Sequence, residues 1–116
     1  DVGFFRGATY RDGTPIATVA AVQEFGNDRV PARSFMRTTI AEKSRQWPRA
    51  AAAILKETGC DAFKALEVMG AEAAGDMQSK IAEITEPALS PSTVRQRIRN
   101  RSENPEKPLI DTRTMV

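Results

Sequence analysis

Apolar residues recur at three- and four-residue spacing along 61–84, at Phe63, Leu66, Gly70, Ala73, Ala74, Met77, Ile81 and Ile84. That period predicts one amphipathic helix of about six turns, with Asp61 as its N-cap. The middle of its stripe is small (Gly70, Ala71, Ala73, Ala74, Gly75), which predicts a close crossing by another backbone. Packing inside one subunit is the first reading of that crossing, and contact between subunits the second. Upstream, Ile16, Val19, Ala20, Val22 and Phe25 keep a mostly helical spacing that ends at Gly26 and Asn27. The β-branched Thr18, Val19 and Val22 pull against a helix there. Val2 to Tyr10, with Val2, Phe4 and Phe5, reads as a short strand, followed by a turn at Arg11-Asp12-Gly13-Thr14.

Punctuation places the remaining elements. Ser34 suits an N-cap for a helix entering at Phe35, and that helix should stop before Pro48. Pro48 fits the first turn of a second, alanine-rich helix that Gly59 can end in left-handed geometry. Trp47, the only tryptophan, should plug the corner between the two or anchor an interface. Glu86-Pro87-Ala88-Leu89 breaks the long helix, and Ser90-Pro91 opens a last one reaching about Arg101. Residues 102–108 read as a polar loop with two prolines, and 109–116 as part of an ordered element that further chain should follow. The start at Asp1 rather than Met also suggests a missing beginning, so 1–116 reads as a single domain truncated at both ends.

Composition narrows the chemistry. The 116 residues are 41% hydrophobic and 28% charged, ordinary for a globular domain able to bury a core without staples. Net charge is only +2, so the whole-chain balance does not argue for nucleic acid. There is no histidine and one cysteine, Cys60. That rules out an internal disulfide and a histidine-based triad. A thiol nucleophile has no histidine to activate it, and zinc would have only carboxylates beside one thiol. No glycine spacing suits a phosphate loop, and no apolar run approaches a membrane span. No cofactor and no membrane partner are expected.

One charge feature stands out: Arg95, Arg97, Arg99 and Arg101. On a helix, spacing by two spreads them around the circumference; on an extended segment they point one way. A solvated basic face near a helix C-terminus is the favoured reading. A weak phosphate contact is the alternative, and no aromatics interleave to stack single-stranded bases.

In order, the chain carries Tyr10-Arg11-Asp12-Gly13-Thr14, Val19 to Gly26 (VAAVQEFG), Pro31 to Arg37 (PARSFMR), Leu89 to Val94 (LSPSTV) and Lys107 to Thr112 (KPLIDT). This succession resembles minor tail components, or neck and tail-completion proteins, of tailed bacteriophages and prophages. The resemblance spans most of the chain. Each motif is short, and the specificity lies in their order and spacing. Two positions depart from the pattern: Arg113 stands where the family usually has glycine after "L-I-D-T", and Ser34 where it often has proline.

The resemblance implies a non-enzymatic structural protein, acting at the head–tail junction or tail terminus through self-assembly and docking. It implies other neck or tail proteins as partners and a homo-oligomer, in the family often a ring. The location implied is the virion, and the host bacterial cytoplasm during assembly. The alternatives are a small DNA-binding or packaging-associated phage protein using Arg95–Arg101 and, more weakly, a cell-wall-active phage enzyme. The candidate assembly interface is Glu24, Phe25, Arg33, Phe35 and Arg37. Phe25 and Phe35 should bury on opposite sides of the Gly26–Pro31 turn. Glu24, Arg33 and Arg37 could pair within the subunit or reach a neighbour, and outward-facing arginines would be dispensable for folding. The expected fold is α+β: a small, mostly antiparallel sheet packed by the long helix (about 61–84) and shorter helices.

Overall fold

The computed structural model describes residues 2–102 and 104–110. Within them the chain is all-helical: α1 (Ile16–Phe25), α2 (Met36–Lys43), α3 (Trp47–Glu57), α4 (Ala62–Glu83) and α5 (Pro91–Arg99). The expected sheet is absent among the described residues. Its only trace is one antiparallel bridge, Thr9 to Pro15. The physical reason lies in the N-terminal segment itself. Gly7, at φ +86°, turns the chain so that the Ala8 amide donates back to the Phe5 carbonyl. Beyond the bridge, Pro15 has no amide to extend a ladder, and α1 begins at once. The expected ordered element at 109–116, and the turn at Arg113, lie beyond Ile110 and outside the described residues.

The five helices that the spacing and punctuation predict all form, with their bounds shifted by a few residues. In α1, Ile16, Ala20 and Glu24 are buried at i, i+4 and i+8, so tertiary burial of one face outweighs the β-branched residues. Asp61 Oδ1 accepts from the Lys64 amide and caps α4. Ser90 Oγ accepts from the Thr93 amide and caps α5, whose first residue is Pro91. Gly59 (φ +66°) and the exposed Cys60 (φ +67°) turn the chain left-handed between α3 and α4.

α3 and α4 form a hairpin, and α2 packs beside α4. The Trp47 indole donates to Asp76 Oδ2 at 2.9 Å, and Lys43 pairs with Asp76 Oδ1 at 3.0 Å, so one carboxylate ties α2 and the start of α3 to α4. Lys80 bridges Glu42 and Glu83 further along. The core is small and joins distant parts of the chain: Ile16, Ala20, Phe35, Ile81, Leu109 and Ile110. Phe4 meets Phe35 edge-on, centroids 6.4 Å apart. The molecule is elongated, 54 × 27 × 26 Å.

At the two glycines of the small stripe of α4 the expected close crossing is absent. A Cβ placed on Gly70 or Gly75 would meet no atom within 4 Å. The core covers the stripe only around Ile81. Towards Phe63 the stripe runs out into solvent.

Candidate functional site

The Glu24–Arg37 motif folds into a polar knot between α1 and α2. Glu24 is 3% exposed, and its carboxylate sits at the α2 N-terminus. Its Oε2 accepts from the Met36 amide at 2.8 Å, and its Oε1 from the Arg37 amide at 3.0 Å. Ser34 was expected to cap this helix. Its hydroxyl instead donates to Glu24 Oε1 at 2.6 Å, and the carboxylate from α1 performs the cap. A carboxylate suits that place, because amides without helical partners and the helix dipole both favour negative charge. Arg37 Nε adds a 2.9 Å ion pair to Oε1, while Arg37 Nη2 donates to the Glu24 carbonyl. Burial raises the Glu24 pKa, but the Ser34 hydroxyl, the Arg37 and Met36 amides and the Arg37 guanidinium together outweigh it. The net result lies below the ordinary 4.5.

Arg33 is also interior, 4% exposed. Nε donates to the Pro87 carbonyl at 2.7 Å, Nη2 to the Ala88 carbonyl at 3.2 Å, and Nη1 to Gln23 Oε1 at 3.3 Å. It clamps the break between α4 and α5 onto the end of α1. Burial first, then the charge of Arg97, lowers its pKa. The turn beneath it depends on Gly26, at φ +73°, where a Cβ would lie 2.7 Å from the Ala32 amide nitrogen.

Of the five candidate interface residues, three therefore lie inside: Glu24, Arg33 and Phe35, the last only 1% exposed. Phe25 and Arg37 remain on the surface, with the Arg37 guanidinium 4.9 Å over the Phe25 ring. The expectation that both phenylalanines bury holds for Phe35 alone. Phe25 ends α1 largely exposed, with a cation over its ring.

The four arginines of α5 divide. Arg97 turns inward and donates to the carbonyls of Lys107, Ile110 and Pro108. Arg95, Arg99 and Arg101 are exposed. Among the described residues no group of histidine, cysteine and carboxylate side chains could hold a metal ion, and no helix is long and apolar enough to cross a membrane.

Compared with known proteins, this chain stands apart. It matches no family model, no curated protein and no solved structure.

The surface also holds an apolar pair that the periodicity puts on the buried stripe. Phe63 is 83% and Leu66 72% exposed, on the part of α4 nearest the α3–α4 turn. Beside them an apolar groove of Ala51, Leu55, Ala62, Ala65, Leu66 and Met69 runs between the two helices. A signal for this was present: a six-turn stripe is long for the core of a 116-residue chain to cover.

Proposed function

We propose that this chain is a non-enzymatic structural protein of tailed-phage morphogenesis, acting at the head–tail junction or tail terminus through self-assembly and docking. The ordered succession of neck- and tail-like motifs supports this reading. One observation gives it a physical handle: Phe63 and Leu66 stand exposed at the end of a helical hairpin, where they contribute nothing to their own subunit's core. Large apolar side chains held out on a stable element are characteristic of docking surfaces. Under this proposal the partners are further copies of the chain and other neck or tail proteins. The site of action is the virion, reached by assembly in the host cytoplasm.

The test is the double variant Phe63→Ser with Leu66→Ser. The native chain should form discrete oligomers by light scattering and electron microscopy. The variant should keep its helical circular dichroism, lose the oligomer, and leave heads and tails unjoined when it replaces the native chain during particle assembly. A native chain that stays monomeric at high concentration, or normal joining by the variant, would refute the reading.

A further inference from the structure

We infer that the outer face of α5 is a contact surface for the phosphate backbone of duplex nucleic acid. Residues 87–102 contain four arginines and no acidic residue. The rest of the chain is then net negative, with 13 basic against 15 acidic residues, so the excess positive charge is concentrated in one segment. The fold sorts these arginines. Arg97 is used internally, holding the carbonyls of Lys107, Pro108 and Ile110, which fixes how α5 is rotated against the body. Arg95 and Arg99, one helical turn apart, share a face on which side chains are neighbours. Arg101 follows just past the C-cap, in left-handed backbone at φ +57°.

Among the described residues Arg95, Arg99 and Arg101 make no ion pair, and Arg33 on the inner side is bonded only to neutral oxygens. The C-terminal dipole of α5 offsets only about half a unit of charge, less than one arginine supplies. A duplex presents about one negative charge per 1.7 Å of axis, which three guanidinium groups can meet without a shaped pocket. The segment has no aromatic residue on which an unpaired base could stack, which favours the duplex over a single strand.

The experiment is fluorescence anisotropy with a short labelled DNA duplex across a salt series. The intact chain should bind with a dissociation constant between about 1 and 100 µM, without sequence preference. Three phosphate contacts should give a slope of log K against log salt near about −2.7. The variant Arg95→Gln with Arg99→Gln and Arg101→Gln spares Arg97 and should fold normally by circular dichroism. It should lose at least about tenfold in affinity at low salt, and most of the slope. Absent binding by the native chain, equal binding by the variant, tighter binding to a single strand, or equal binding to polyglutamate would each overturn the inference. None of these outcomes bears on the Phe63 and Leu66 test, so the two readings fail separately.

Discussion

A carboxylate that is 3% exposed stays charged only if its oxygens are occupied, and those of Glu24 meet two amides, a hydroxyl and a guanidinium. The folded-state pKa lies below the ordinary 4.5, so the unfolded chain takes up the proton first as pH falls. The stabilisation from Glu24 is then complete above about pH 4.5 and is lost as pH drops through the folded-state value. Glu24→Gln should cost about 1–3 kcal/mol at neutral pH, since charge-assisted hydrogen bonds are weakened. It should also flatten the acid limb of stability in urea titrations run at several pH values. Arg33 and Arg37 should separate sharply. Arg33→Ala abandons two carbonyls and a side-chain amide at partly buried positions and should cost about 1–3 kcal/mol by urea denaturation. Arg37→Ala removes a mostly exposed partner, which surface pairs suggest is worth about 0–1 kcal/mol. That outcome would correct the expectation that both arginines are dispensable for folding. Gly26→Ala should cost about 1–3 kcal/mol, because the position combines positive φ with a backbone contact that has no room for a methyl group.

At the scale of elements, the two mid-helix glycines of α4 give the opposite prediction. Gly70→Ala and Gly75→Ala each reduce the freedom of the unfolded chain, and the added methyl meets nothing within 4 Å. Each should raise stability by about 0.4–1 kcal/mol, visible as a higher midpoint in thermal unfolding. The contrast with Gly26 shows which parts of the fold were legible. Caps were, because Asp61 and Ser90 act on amides three residues away and leave a local signature. The α4 helix was, because its period persists for six turns. The N-terminal segment was misread because apolar content at Val2, Phe4 and Phe5 says nothing about a ladder partner, and Gly7 and Pro15 removed the one available. The cap on α2 was assigned to Ser34 because the sequence shows neighbours, while the group that caps comes from Glu24, twelve residues before Met36. For Arg33 the sequence leaves an internal pair and a neighbour contact both open, because its carbonyl partners at Pro87 and Ala88 lie more than fifty residues away.

For the molecule as a whole, Asp76 ties α4 to both α2 and the start of α3. Its pKa is lowered first by the Trp47 indole, against the cost of burial and with help from Lys43. Asp76→Ala releases both partners and should cost about 1–2 kcal/mol by thermal unfolding. If the hairpin end is the docking surface proposed above, the same change should weaken assembly more than stability, because it loosens the mount of Phe63 and Leu66. The core has a further consequence for synthesis. Ile16 and Ala20 in α1 are covered in part by Leu109 and Ile110, roughly ninety residues later in the chain. At about 5–20 residues per second, α1 emerges about 5–20 s before the residues that close over it. For that interval its inner face is open to chaperones and proteases. Released chains ending at residue 107 should be cut readily in α1 by added protease, whereas chains that include Leu109 and Ile110 should resist.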